Sequence, residues 1–100
     1  MTTHSKRVWL VCYDIANDKR LRKVYKLCRG YGEHLQYSVF RCVLSDLRLA
    51  EMKARLLDVV DERQDQVMFA FLGTSDADRA WRIDTIGIPF DDPERVVRVV

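Results

Sequence analysis

One carboxylate stands out because it ends an otherwise apolar segment. Asp14 follows the run Arg7 to Tyr13 (RVWLVCY), where a carboxylate is either desolvated or paired with another group. Two interpretations remain open from position alone. Asp14 caps backbone N–H groups of the following loop or helix, or it binds Mg²⁺, which prefers oxygen ligands and needs only one or two protein carboxylates besides water and phosphate oxygens.

A metal site with one carboxylate per chain calls for a second copy of the chain. A twofold axis near Asp14 would bring two carboxylates together, and they would repel each other unless a cation lay between them. A cation held there polarises a scissile phosphate and activates water. Asp18 is placed either to add an outer-shell contact or to cap the helix that follows.

A second feature is a cluster of six basic residues between Lys19 and Arg29, with no acidic residue among them. Residues 1–50 carry 10 Lys/Arg against 4 Asp/Glu, whereas residues 51–100 carry 7 against 11. This asymmetry indicates a polyanionic partner on one side of the molecule, although a solvated helix face would give the same pattern. Such residues bind phosphates without reading sequence, and the candidates are Lys19, Arg20, Arg22, Lys23, Lys26 and Arg29.

Other chemistry is less evident. The Ser38 hydroxyl is a polar filler on a strand or a hydrogen-bond donor to a phosphate, and Phe40 is a core or interface aromatic or else a stacking platform for bases. His4 and His34 are far apart, and no Ser-His-Asp, Cys-His, P-loop or G-x-G-x-x-G pattern is present. Three cysteines without C-x-x-C spacing favour reduced thiols packed in the core.

The elements that must position these residues follow from hydrophobic periodicity. The pattern predicts a buried strand Arg7–Asp14, a helix from Asn17-Asp18 to Gly30 or Gly32, and a strand Leu35–Cys42. A second helix follows the Ser45 cap, with an apolar stripe from Leu49 to Val60; a strand Gln66–Leu72 and a fourth strand near Trp81–Ile86 complete the series. This order predicts an α+β ferredoxin-like sandwich, two helices on one face of a mostly antiparallel four-stranded sheet. Whether residues 33–44 supply two short strands instead of one stays open.

The chain of 100 residues is expected to form one domain, 1–100, with residues 1–6 flexible. Its segment 88–100 ends on a short apolar strand, Val96–Val100, which adds either to its own sheet edge or to that of a partner subunit. The longest apolar runs are too short to cross a bilayer. The N-terminus lacks the apolar stretch of a signal peptide, so a cytoplasmic protein without membrane contact is expected.

Four segments together resemble a known family. They are Tyr13–Ile15 (YDI), Asp18–Val24 (DKRLRKV), Tyr31-Gly32 and Gln36–Phe40 (QYSVF). At this separation and chain length they resemble the small CRISPR-associated adaptation protein, the second universal CRISPR core protein, often labelled an endoribonuclease. The resemblance spans about residues 7 to 100.

The resemblance implies a ferredoxin-like homodimer whose terminal strand crosses to the partner subunit. The aspartate that ends the first strand is the family's proposed Mg²⁺ ligand, and Asp14 holds that position. Family members are credited with metal-dependent cleavage of single-stranded RNA or double-stranded DNA. The dimer also bridges integrase subunits during spacer acquisition, a role for which cleavage is dispensable.

We therefore expect a homodimeric CRISPR adaptation protein with a Mg²⁺- or Mn²⁺-dependent endonuclease site. Its predicted catalytic residues are Asp14, also the metal ligand, together with Ser38 and Phe40, and its partners are RNA or DNA and the CRISPR integrase subunit. The alternatives are a non-catalytic DNA-binding scaffold, a related toxin-type ribonuclease, and a metabolite-sensing domain. The six basic residues on one helix argue against the last of these.

Overall fold

The sheet is built around its first strand. The computed structural model describes residues 5–74 and 84–87. Its four strands lie in the order β2-β3-β1-β4 and every neighbouring pair is antiparallel. The elements are β1 (Arg7–Asp14), α1 (Asp18–Arg29), β2 (Glu33–Gln36), β3 (Val39–Leu44), α2 (Asp46–Leu57) and β4 (Gln66–Thr74).

Alternation along β1 separates a covered face of the sheet from an open one. Successive side chains of a strand lie on opposite faces, and Val11 and Tyr13 are buried in the core with residues of both helices. Leu10 and Cys12 lie on the other face and are only half-buried. The predicted sandwich, with both helices on one face of an antiparallel four-stranded sheet, is confirmed.

Each helix begins at a side-chain cap. The Asn17 side chain accepts a hydrogen bond from the backbone N–H of Arg20 at 2.9 Å, and Ser45 Oγ accepts one from Arg48 N–H at 3.2 Å. These bonds satisfy backbone donors that have no partner within the helix. Asp18 is therefore the first residue of α1 and not its cap. Neither helix of the described ranges is long and apolar enough to span a membrane.

Residues 33–44 form two strands, so the prediction of one strand Leu35–Cys42 is wrong and the open alternative is right. Tyr37 and Ser38 make the turn between β2 and β3, and Tyr37 adopts a left-handed backbone conformation with φ 40°. A two-residue turn flanked by short strands hardly disturbs the alternation of side chains, and tyrosine is not a typical turn residue. The periodicity therefore could not reveal this turn.

The other differences fall at segment ends. Helix α2 ends at Leu57, and Val59 and Val60 are half-buried against the core from the following turn. Residues 84–87 form no strand, so the fourth strand of the sheet comes from the division of 33–44. Residues 1–4, 81–83 and the predicted strand Val96–Val100 lie outside the described ranges, and the single-domain division 1–100 stays a prediction.

Gly32 marks a close approach of the chain between α1 and β2. A Cβ atom at this position would lie 2.5 Å from the carbonyl oxygen of Arg41 and would also collide with the Cys42 sulfur. Both neighbours belong to β3, where the Cys42 side chain is fully buried. Only glycine lets the chain pass this close to β3 before it enters β2.

Gly32→Ala is expected to destabilise the protein by about 1–3 kcal/mol, because the added methyl group overpacks a core that cannot yield. Urea unfolding followed by circular dichroism would measure this. Gly30→Ala is the matched control, since its Cβ would lie 3.3 Å from the Leu27 carbonyl oxygen and collides with no buried side chain. Equal unfolding midpoints for the two variants would contradict the close approach.

Candidate functional site

Asp14 lies exposed at the last position of β1, opposite Gln66 of β4. Its carboxylate makes no hydrogen bond or ion pair with another residue of the described ranges. Other side chains accept hydrogen bonds from the nearby backbone N–H groups. Asn17 caps α1, and Asp65 accepts the hydrogen bond of Ala16 N–H at 2.9 Å. The interpretation of Asp14 as a backbone cap is therefore not supported, and its carboxylate is left available.

One available carboxylate does not by itself form a metal centre. Among residues 5–74 and 84–87, no group of three or more His, Cys, Asp or Glu side chains is arranged to hold a metal ion. Mg²⁺ in proteins often keeps several waters and takes only one or two carboxylates. The carboxylate oxygens of Asp14 fit such an ion, provided that further ligands come from a second copy of the chain or from a substrate phosphate.

Asp65 ties the loop after Asp14 to the loop before β4. Its side chain is 0% exposed and pairs with Arg20 through Nε–Oδ2 and Nη2–Oδ1 distances of 2.8 and 3.1 Å. It also accepts the backbone N–H groups of Ala16 at 2.9 Å and Asp61 at 2.8 Å. The hydrogen bonds from the Arg20 guanidinium, with those from the two N–H groups, hold the pKa of Asp65 well below its usual range.

The Arg20 ion pair changes the set of candidate phosphate ligands. The guanidinium of Arg20 is largely covered and is neutralised by Asp65, so a structural role replaces the predicted phosphate contact. The other five members of the cluster are exposed and form no ion pair with described residues: Lys19, Arg22, Lys23, Lys26 and Arg29.

Part of this basic surface borders a pocket, which we call the α1 pocket. Its volume is about 610 Å³, and it is lined by Tyr13, Leu21, Arg22, Tyr25, Lys26, Tyr37 and Ser38. Three predicted site residues, Arg22, Lys26 and Ser38, are thus brought together. Ser38 is half-buried there, and its carbonyl oxygen accepts a hydrogen bond from Tyr13 N–H at 3.1 Å.

The aromatic lining of the α1 pocket was missed by sequence reasoning. The spacing of Leu21 and Tyr25 fits the apolar stripe of α1, yet Leu21 is exposed and Tyr25 only half-buried. The interleaving of these residues with Arg22 and Lys26 was the available signal. Tyr37 gave none, because its contribution depends on the turn between β2 and β3.

Phe40 has no accessible ring face. It is 0% exposed, and its ring lies 6.1 Å from that of Tyr13, 5.8 Å from Tyr25 and 5.0 Å from His34, measured between centroids. A stacking platform must present a face to the base. The stacking and catalytic interpretation of Phe40 therefore does not fit the structure, and its place is the core.

Burial affects the titratable groups of the core. Burial raises the pKa of the Tyr13 phenol to about 12. It likewise raises the pKa of the Cys28 thiol to about 12 and of the Cys42 thiol to about 11. His34 Nε2 donates to the backbone carbonyl oxygen of Tyr37 at 2.8 Å. The Tyr13 phenol and the two thiols are therefore protonated at neutral pH and do not act as general bases there.

Comparison with known proteins gives consistent matches. The family model described as CRISPR associated protein Cas2 matches residues 7–80. The "CRISPR-associated endoribonuclease Cas2 2" of Thermodesulfovibrio yellowstonii is 51% identical over 59 residues, 59% of this chain and 65% of that relative. The "CRISPR-associated endoribonuclease Cas2 1" of Rhodospirillum rubrum is 34% identical over 99 residues, 98% of this chain and 95% of that relative. The crystal structure of Streptococcus pyogenes Cas2 superposes with a TM-score of 0.67 and 36% identity, covering 80% of this chain and 99% of that one.

Asp65→Asn is expected to lower the free energy of unfolding at neutral pH, because it removes the charge that faces Arg20. A carboxyl whose folded pKa is depressed stabilises the fold fully above its unfolded pKa of about 3.9 and loses this contribution as the pH falls further. The difference between wild type and Asp65→Asn should therefore be constant from neutral pH to about pH 5 and should shrink below about pH 4. Urea unfolding over a pH series measures it.

Asp58→Asn provides the control for this series. Asp58 is exposed, and its carboxylate bonds to no described residue. Its substitution should change stability little at any pH. A difference between wild type and Asp65→Asn that persists unchanged at low pH would show that the Asp65 charge is not what stabilises the fold.

Proposed function

This chain belongs to the CRISPR-associated protein Cas2 family, and from that premise we propose that it acts in CRISPR adaptation as a homodimeric, divalent-metal-dependent endonuclease. The observation that carries the proposal is the free Asp14 carboxylate beside a basic helix. Asn17 and Asp65 satisfy the neighbouring backbone donors, and no residue of the described ranges pairs with the Asp14 carboxylate, which is thus available to bind an ion. We also propose that the protein acts in the cytoplasm, where its nucleic-acid partners are found.

The open face of the sheet supports the homodimer. Leu10 pairs with Ala70 and Cys12 with Met68 across β1 and β4, and these side chains share the face that no described helix covers. Met68 and Leu72 are 53% and 57% exposed. A contiguous apolar patch of this kind is typical of a protein interface. In a twofold dimer the same patch of both subunits meets across the axis, so this face would pack against its own copy.

The same geometry links the dimer to Asp14. Side chains at positions 10, 12 and 14 of β1 alternate onto one face, so the Asp14 carboxylate shares the face that the dimer would cover. A twofold axis near the end of β1 would then bring two Asp14 carboxylates toward a common site. The structure therefore supports a paired site made by two subunits better than a complete site within one.

In the proposed site the two Asp14 carboxylates would hold Mg²⁺ or Mn²⁺, and the exposed residues of α1 would hold the nucleic-acid backbone. When bound, such an ion supplies positive charge to a scissile phosphate and lowers the pKa of a water molecule. Lys19, Arg22, Lys23, Lys26 and Arg29 provide charges that bind phosphates of RNA or DNA without reading sequence. The Ser38 hydroxyl lies beside Arg22 and Lys26 in the α1 pocket, and we assign it at most a hydrogen bond to a phosphate.

A second function, a non-catalytic scaffold that holds DNA for the integrase subunit, has its own support. Among the described residues, no side chain that could act as a general base bonds to Asp14, and burial holds the neighbouring Tyr13 phenol protonated. A scaffold needs only the basic face of α1 and the dimer. It predicts nucleic-acid binding that does not depend on a divalent metal and is not followed by cleavage.

Asp14→Asn is expected to reduce cleavage of single-stranded RNA or double-stranded DNA by on the order of 100-fold or more, the scale of removing one electrostatic interaction with a transition state. Labelled substrates of both kinds would be incubated with Mg²⁺ and, in parallel, with EDTA. The endonuclease predicts that wild type cuts only with the metal and that the variant shows the large loss of cleavage even with the metal present. Binding without cleavage by wild type would favour the scaffold.

Two controls make this assay specific. Light scattering must show that Asp14→Asn keeps the oligomeric state of wild type, since the residue lies on the proposed dimer face. Glu51→Gln replaces an exposed acid on α2 and should retain full activity. If Asp14→Asn cuts as well as wild type, the Asp14 site is wrong.

Replacing both Arg22 and Lys26 by alanine should weaken duplex binding and make it less sensitive to salt. Removing one cation that neutralises a duplex phosphate lowers the slope of log K against log salt by about 0.9, so the double variant should lower it by up to about 1.8. Fluorescence anisotropy at several salt concentrations measures both the affinity and the slope. Arg63→Ala, which removes an exposed charge from the loop before β4, should leave the slope unchanged.

A further inference from the structure

The α1 pocket combines an apolar interior with a cationic rim. Tyr13, Leu21, Tyr25 and Tyr37 supply apolar and aromatic surface, and Arg22 and Lys26 lie one helical turn apart at its border. Its volume of about 610 Å³ lies within the range of small-molecule sites, roughly 300–1,000 Å³. None of the described residues that line it is acidic.

Tyr37 is the most unusual of these residues. It is 86% exposed and holds a backbone φ of 40°, a conformation that non-glycine residues rarely adopt and that costs free energy. The turn is fixed on both sides, since the Tyr37 carbonyl oxygen accepts from His34 Nε2 at 2.8 Å and the Ser38 carbonyl oxygen accepts from Tyr13 N–H at 3.1 Å. Packing against the described residues does not explain why an aromatic ring is exposed there.

Tyr25, a second aromatic residue that lines the pocket, is also held in place. Its hydroxyl accepts a hydrogen bond from Arg29 Nη1 at 3.1 Å, and its ring lies 5.2 Å edge-on from His34, between centroids. Fixed aromatic side chains are suited to planar ligands, because stacking requires little further ordering. Because Arg22 and Lys26 lie at the rim, a ligand that carries a negative charge next to its planar group would bind best.

From these features we infer that the α1 pocket receives one unpaired base of a bound nucleic-acid strand, with Tyr37 stacking on the base and Arg22 and Lys26 contacting its flanking phosphate. A planar ring joined to an anionic group is the chemistry of a nucleotide, and duplex DNA does not offer a free base face. The inference rests on the proposed nucleic-acid binding but not on cleavage. It assigns a preference for strands with unpaired ends or single-stranded segments.

The test compares Tyr37→Ala with Tyr37→Phe on three probes: a short single-stranded oligonucleotide, the same strand with abasic sites, and a fully paired blunt duplex. Tyr37→Ala should bind the intact single strand about 5- to 150-fold more weakly than wild type, the range expected for loss of one stacked base. Tyr37→Phe keeps the ring and should bind like wild type. Wild type should bind the abasic strand more weakly than the intact one, and Tyr37→Ala should not distinguish the two.

Two controls distinguish binding in the pocket from binding to the basic face of α1. Binding of the blunt duplex should be unchanged in Tyr37→Ala, and Leu47→Ala, which removes an exposed apolar side chain from α2, should bind all probes like wild type. Unchanged single-strand binding by Tyr37→Ala overturns the inference, and so does an equal loss on duplex and single strand. A changed oligomeric state by light scattering would assign the pocket to a subunit contact and also overturns it. Wild type that binds no nucleic acid at all would refute the proposed function as well.

Discussion

The buried carboxylate of Asp65 fixes the loops at the end of the sheet where Asp14 lies. It accepts hydrogen bonds from Arg20 on α1 and from the N–H groups of Ala16 and Asp61, so it joins the loop after β1 to the loop before β4. A carboxylate without exposed surface is tolerated only when its oxygens are fully paired. Asp65 accepts the Ala16 and Asp61 N–H groups and Asn17 accepts the Arg20 N–H group, so the Asp14 carboxylate is not needed to cap them.

Helix α1 contributes both to the folded core and to the exposed basic surface. Val24 and Cys28 are buried in the core, while Arg20 is committed to Asp65. Five of the six cations remain exposed, and two of them border the α1 pocket. A helix with this much like charge is destabilised by repulsion between neighbours, so its packing and its cap must offset that repulsion. The excess of charge over what folding requires is what favours a polyanionic partner.

The sequence allowed the helices, the central strand and the exposed basic cluster to be predicted, because each produces a local pattern. Contacts between residues distant in the chain could not be predicted in the same way. Arg20 has the same appearance in sequence as its basic neighbours, and only its partner 45 residues away separates it from them. The turn at Tyr37 and the burial of Phe40 likewise depend on how β2 and β3 pair, which hydrophobic alternation does not encode. Asp14 was recognisable because a carboxylate at the end of an apolar strand is a local anomaly.

Tyr13 and Asp14 are adjacent in β1, yet their side chains serve opposite faces of the sheet. Tyr13 faces the helices and lines the α1 pocket, whereas Asp14 belongs to the open face that the proposed dimer covers. The two proposed sites are therefore separated by the thickness of the sheet but meet at its end, where β1 stops. A strand whose unpaired base enters the α1 pocket must pass around this end for its backbone to approach Asp14. A continuous duplex is too stiff for such a path over a few nucleotides, so the geometry favours nucleic acid with a single-stranded segment next to the position of cleavage.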